Sequence, residues 1–225
     1  MIRLIAVLVA YGNARSIVEP SAVPETPWAG LAFGVALTVS VVALTRAGPR
    51  LTPPELGLVR RGSARAAMIG GLFGVGAAIP ALVVLRYPPL LDAPVSYAPI
   101  ADMPLDALLV RAFVLMPLDT AVPEELAFRG ALFAWIYRAH GVVRATVVSS
   151  MAFAAWHLVI VVATLQLTNA AVHPLTAAIG TFAAFAALFG GGVMFALLRS
   201  RTGRLAAPLA GHAAFNAAIL LGLGL

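Results

Sequence analysis

The chain has 225 residues, of which 61% are hydrophobic and 11% charged, and its mean hydropathy is +0.97. Soluble domains run near half apolar and a quarter charged, so a soluble fold of this composition would lack the polar residues to cover its surface. Disorder is excluded by the same numbers, and a disulfide scaffold by the absence of cysteine. The net charge of +6 comes entirely from arginine, with no lysine and no basic cluster interleaved with aromatics, so nucleic acid is not an expected partner. What remains is an all-α, polytopic transmembrane bundle embedded in a lipid bilayer.

Apolar stretches near the 20 residues that cross a bilayer number six or seven. Ile2–Val18 is marginal, because Asn13 and Arg15 interrupt it, and whether it spans stays open. Trp28–Thr45 and Ala66–Leu85 follow. A long segment over 105–137 carries Pro117 and Pro123, which are expected to kink it and leave 105–112 near the outer surface. Val142–Leu165, Leu175–Leu198 and Leu205–Leu225 complete the set. The Pro-rich segments 19–27 and 87–104 read as outer turns. Gly190-Gly191-Gly192, inside the fifth long stretch, reads as a close helix approach. Residues 1–104 form an N-terminal part of generic spans, and residues 105–225 a part that carries the unusual polar groups.

Arginine fixes the threading. The connection 46–65 holds Arg46, Arg50, Arg60, Arg61 and Arg65 against Glu55 alone. Arg138 and Arg144 flank a second connection, and Arg199, Arg201 and Arg204 a third. Glu19, Glu25, Asp92, Asp102 and Asp106 fall on the other side, with Arg15 and Arg86. The positive-inside rule then places the arginine-rich connections in the cytoplasm of a multi-pass plasma (inner) membrane protein.

Ionisable groups within hydrocarbon are costly and mark function. Here they gather in three short runs. Glu125 and Arg129 lie four apart, on one helical face, in the favourable order for an ion pair. Glu124 points about 100° away from that face, which leaves it available for chemistry unless Arg129 and Arg111 neutralise both acids. Phe153 and His157 share a face, and so do His212 and Asn216, both able to present N–H donors to one point. From the flanking arginines, at about 1.5 Å per residue, all three runs fall in the middle to cytoplasmic half of the membrane. Asp119 and Arg111 read as an outer polar pair or as further cavity lining.

Glu124-Glu125-x-x-x-Arg129, Phe153-x-x-x-His157 and His212-x-x-x-Asn216, in that order on successive apolar helices, resemble the signature of the CPBP family. These are the type II CAAX prenyl protease and Abi-like intramembrane endopeptidases, and the similarity covers about residues 105–220. The resemblance implies that Glu124, helped by His157, activates water, and that His212 and Asn216 stabilise the oxyanion. Glu125 with Arg129 would be a structural ion pair. A zinc site of Glu124, His157 and His212 is the metal alternative. Without H-E-x-x-H the expectation is no cofactor and no metal.

The expected activity is therefore endoproteolysis of a membrane-anchored peptide or protein: a C-terminal sorting or anchor segment, or a bacteriocin-like peptide. The Ala- and Arg-rich, Lys-free composition suggests a prokaryotic chain and counts against prenylated substrates. Two other classes compete. A proton-coupled transporter would use Glu124, Glu125 and His157 as a relay, although no internal repeat supports it. A noncatalytic bacteriocin-immunity protein would keep the polar core for specificity alone.

Overall fold

The computed structural model describes residues 2–18 and 27–225. The turn expected over 19–27, with Glu19 and Glu25, lies outside the described residues apart from Pro27. The architecture is all-α, and among the described residues the only β-type pairing is an isolated bridge between Tyr97 and Thr168. We number the helices α1 (Ile2–Val18), α2 (Pro27–Ala47), α3 (Ser63–Arg86), α4 (105–140), α5 (142–156), α6 (Leu158–Gln166), α7 (Pro174–Thr202) and α8 (Ala206–Gly224). With α5 and α6 taken as two halves of one broken pass, this gives seven helical segments. α3, α7, α8 and the part of α2 from Trp28 are each long and apolar enough to cross a membrane. The chain is a multi-pass membrane protein.

The prolines do not end the helix in the long segment. Instead α4 runs continuously and widens into π-type turns at Arg111–Leu115, Pro117–Ala121 and Leu126–Leu132. Proline removes a donor from the i→i−4 ladder, and a wider turn absorbs that loss without ending the helix. Such bulges occur frequently at functional sites, and here two of them bracket the single α-turn Val122–Glu125. Gly141, at φ 78°, then separates α4 from α5. The chain folds back, because the Phe128 ring meets those of Phe153 and Trp156 at 5.3 and 5.5 Å.

The next apolar stretch is broken where none was expected. At His157 the backbone leaves helical geometry (φ −92°, ψ 9°), and the helical run bends by 44° there. Neither proline nor glycine sits at this break. Asn13 and Arg15 of α1, which interrupt an apolar run in the sequence, are docking residues in the fold. Asn13 bonds to both sides of the break. Arg15 reaches the Asp119 carbonyl at 3.5 Å.

α3 packs on α8 through a stripe of small residues: Ala66, Gly70, Gly74 and Ala78 are its buried positions. A Cβ on Gly70 would overlap the Ala207 carbonyl, and one on Gly74 the Gly211 carbonyl. Small residues of this spacing let helix backbones touch in a membrane. Of the three consecutive glycines in α7, only Gly192 makes a close approach, against Ser150; Gly190 and Gly191 face open space.

The arginine-bearing connections meet at one end of the bundle. Arg138 pairs with Glu55 at 3.3 Å and donates to the Pro49 carbonyl. Arg199 donates to the Glu55 carbonyl, and Arg204 to that of Arg61. At the other end, the segment before α4 meets the one after α6: Ser96 N–H donates to Asn169, and Asn169 to the Pro94 carbonyl.

Candidate active site

All three polar runs converge inside the bundle. Glu124 (2% exposed), Glu125 and Arg129 (both 0%) come from α4, and His212 (5%) from α8. His157, at the α5–α6 break, completes the group. The ion pair expected from the four-residue spacing forms, with Arg129 Nη1 2.9 Å from Glu125 Oε1. Arg129 is not shared with Glu124 by any hydrogen bond. Its guanidinium lies instead over aromatic rings, 4.1 Å from the centroid of Phe153 and 5.4 Å from that of Phe195. Cation–π attraction of this kind strengthens where water is excluded.

One detail of the site differs from the sequence reading. His212 is not a free donor beside Asn216: its Nδ1 lies 2.9 Å from Glu125 Oε1. A carboxylate only accepts, so Nδ1 carries the proton of that bond and Nε2 is the ring nitrogen left over. Arg111 forms the polar pair with Asp119 that the sequence suggested, buried and at 3.0 Å, and does not bond to the paired acids. That carboxylate also accepts from Thr120 at 2.8 Å. A buried charge must be paired, and among the described residues Arg129 takes Glu125 and Arg111 takes Asp119.

Glu124 is what this pairing leaves. Its Oε2 has no hydrogen-bond donor among the described residues and lies 3.6 Å from His157 Nε2. The orientation of His157 is fixed from its other side, because Nδ1 is 2.8 Å from the Phe153 carbonyl. A carbonyl can only accept, so Nδ1–H donates and Nε2 is the nitrogen turned to the carboxylate. Asn216 follows His212 by one turn on α8, half-buried, and its side chain makes no hydrogen bond to the described residues.

Aromatic rings shape this group, and of them the sequence reading singled out Phe153 but not Phe195. Phe195 of α7 stacks on the His212 ring (5.2 Å between centroids, 22° between planes). Phe153 meets both imidazoles edge-on, at 4.5 Å for His157 and 5.8 Å for His212. Nothing in the spacing of α7 pointed to Phe195, since that helix carries no polar partner of the site. Among the described residues no three His, Asp or Glu side chains are grouped so as to hold a metal ion. Glu124 and His157 are adjacent, whereas His212 is engaged by Glu125.

A buried acid–imidazole pair thus lies beside a neutralised acid inside a helical membrane bundle. The family model for type II CAAX prenyl endopeptidase Rce1-like proteins matches residues 106–218. The chain belongs to that family. No curated protein and no solved structure matches it.

Proposed function

We propose that the protein is an intramembrane endopeptidase of the glutamate-dependent type, hydrolysing a peptide bond in a membrane-associated peptide or protein. The observation that carries this reading is the contrast between the two adjacent acids: Glu125 is bonded by Arg129, while Glu124 Oε2 has no hydrogen bond to the described residues and lies 3.6 Å from His157 Nε2. In this reading residues 105–225 carry the chemistry and residues 1–104 support it. Water bonded to Glu124 and His157 attacks the scissile carbonyl carbon, and its proton passes to Glu124. The oxyanion is received by the Asn216 amide and by His212 Nε2, which donates when the ring carries its second proton. Collapse expels the amine, which takes its proton from Glu124. No metal takes part in these steps. The protein works in the plasma membrane, with its site in the middle to cytoplasmic half.

The test uses proteoliposomes and two internally quenched, membrane-tethered peptides, one carrying a farnesyl group on a cysteine four residues from its C-terminus and one unmodified. Cleavage is expected from the parent protein and is lost in Glu124→Gln and His157→Ala variants that still insert and fold. Cleavage that survives Glu124→Gln would overturn the glutamate-base mechanism. Proton flux without proteolysis would favour a transporter.

A further inference from the structure

The break on which His157 sits is bridged by a residue of α1, outside the family-matched region. In an uninterrupted α-helix the Val159 N–H would donate to the Ala155 carbonyl, four residues back. Here the side-chain amide of Asn13 occupies that gap. Its Nδ2 donates to the Ala155 carbonyl at 2.9 Å, and its Oδ1 accepts from Val159 N–H at 2.8 Å. The second Nδ2 hydrogen is used within α1, on the Val9 carbonyl at 2.8 Å. The carboxamide therefore replaces one backbone hydrogen bond by two, and its own polar groups are satisfied. A group inserted into the i→i−4 ladder is one of the few causes of a sharp helix kink. Within a membrane the opened backbone groups must find partners in the protein.

The neighbours of Asn13 fix the same spot. Tyr11 stacks on Trp156 at 5.8 Å and 23°, and its hydroxyl donates to the Phe33 carbonyl. A Cβ on Gly12 would collide with the Trp156 ring, so only glycine lets α1 come this close. His157 is thus gripped from the residue before it and by hydrogen bonds on either side of it. Its imidazole has one acceptor behind it, the Phe153 carbonyl, and one acid in front, Glu124.

We propose that Asn13 is a positioning residue for His157: its carboxamide opens the helix at this point and so holds the imidazole against Glu124. If the ladder closed, the backbone at His157 would return to helical geometry and the ring would swing with it. Displacement of a reacting group by about 1 Å costs on the order of 100-fold in rate. The kinetic part of this inference rests on the peptidase reading. The structural part does not.

Asn13→Leu, of similar size but without the amide, and Asn13→Asp, which can accept from Val159 but not donate to Ala155, test it. Both are assayed with the two quenched peptides in proteoliposomes, beside Glu124→Gln. The Val159 amide is followed by NMR in 15N-valine protein, its signal assigned with Val159→Ile. Asn13→Leu is expected to lower kcat by roughly 10- to 100-fold with KM within about threefold, and to move the Val159 resonance; Asn13→Asp has a smaller kinetic effect. An unmoved Val159 signal, or an Asn13→Leu kcat within twofold of the parent, overturns the proposal. Should Asn13→Leu fail to insert, the same readouts on Asn13→Asp decide. If Glu124→Gln cleaves as fast as the parent, the glutamate mechanism fails instead, and the Val159 resonance alone judges the splice.

Discussion

Gly74 offers a sharp test of how the bundle holds its site, because its contact partner on α8 is Gly211, the residue immediately before His212. With a Cβ added at Gly74, the Gly211 carbonyl carbon would stand 2.9 Å away and its Cα 3.0 Å away, with the carbonyl oxygen nearer still. Ordinary carbon–carbon contact needs about 3.5–4.0 Å, and the nearer carbonyl oxygen demands more, so Gly74→Ala forces α3 and α8 apart by roughly 1 Å or more. Two effects then oppose each other in stability. Overpacking costs about 1–3 kcal/mol, while replacing a mid-helix glycine with alanine returns about 0.5–1 kcal/mol. Net destabilisation is therefore modest, about 0–2.5 kcal/mol. Activity should respond more strongly, since His212 moves with its backbone; a tenfold to hundredfold loss of kcat is expected. Gly76 provides the control, lying on the same helix with nothing within 4 Å of an added Cβ. Gly76→Ala gains the helix propensity without the collision and should leave both quantities unchanged or slightly raise stability. Thermal unfolding in detergent and cleavage of the quenched peptides in proteoliposomes measure the two. A Gly74→Ala protein that cleaves within twofold of the parent would refute the idea that this glycine contact sets the place of His212.

The remaining expectations concern the side chains around the acids. Phe195→Leu removes the ring stacked on His212 while keeping an apolar side chain, and should lower kcat about tenfold with little change in KM; equal kcat would show that Glu125 alone orients the imidazole. Glu125→Gln strands the buried Arg129 guanidinium and should cost about 3–5 kcal/mol in stability. By contrast Glu124→Gln, which breaks no hydrogen bond at Oε2, should unfold within about 1 kcal/mol of the parent, and equal losses would erase the distinction between the two acids. Incubation with 1,10-phenanthroline followed by dialysis should leave the cleavage rate within twofold. A loss that zinc restores would move the chemistry to the Glu124, His157 and His212 metal alternative.

The parts of this molecule that were legible in the sequence are those governed by one helix at a time. Apolar length located α2, α3, α7 and α8 to within a few residues, because hydrocarbon thickness sets that length whatever the neighbours are. Glu125 and Arg129 could be paired on paper because four residues bring two side chains together on any helix. What escaped were relations between helices. The π-type turns by which α4 continues past its prolines were not foreseen. The stripe Ala66, Gly70, Gly74 and Ala78 was visible as a repeat of small residues every four positions, and that signal was available to predict a tight α3–α8 contact. It could not have named Gly211 as the partner. Nor does the 105–225 half, read alone, explain why the chain bends at His157, since the break is bridged by a carboxamide 144 positions earlier in the sequence. Asn13 and Arg15 read as flaws in a hydrophobic stretch because hydropathy treats every polar side chain as a cost to be borne by its own helix. Inside a bundle that cost is shared: Asn13 satisfies backbone groups of the broken helix while those groups satisfy Asn13. The polar residues that most weaken a span on paper are therefore the ones that join it to the rest of the fold, and here they join it beside His157.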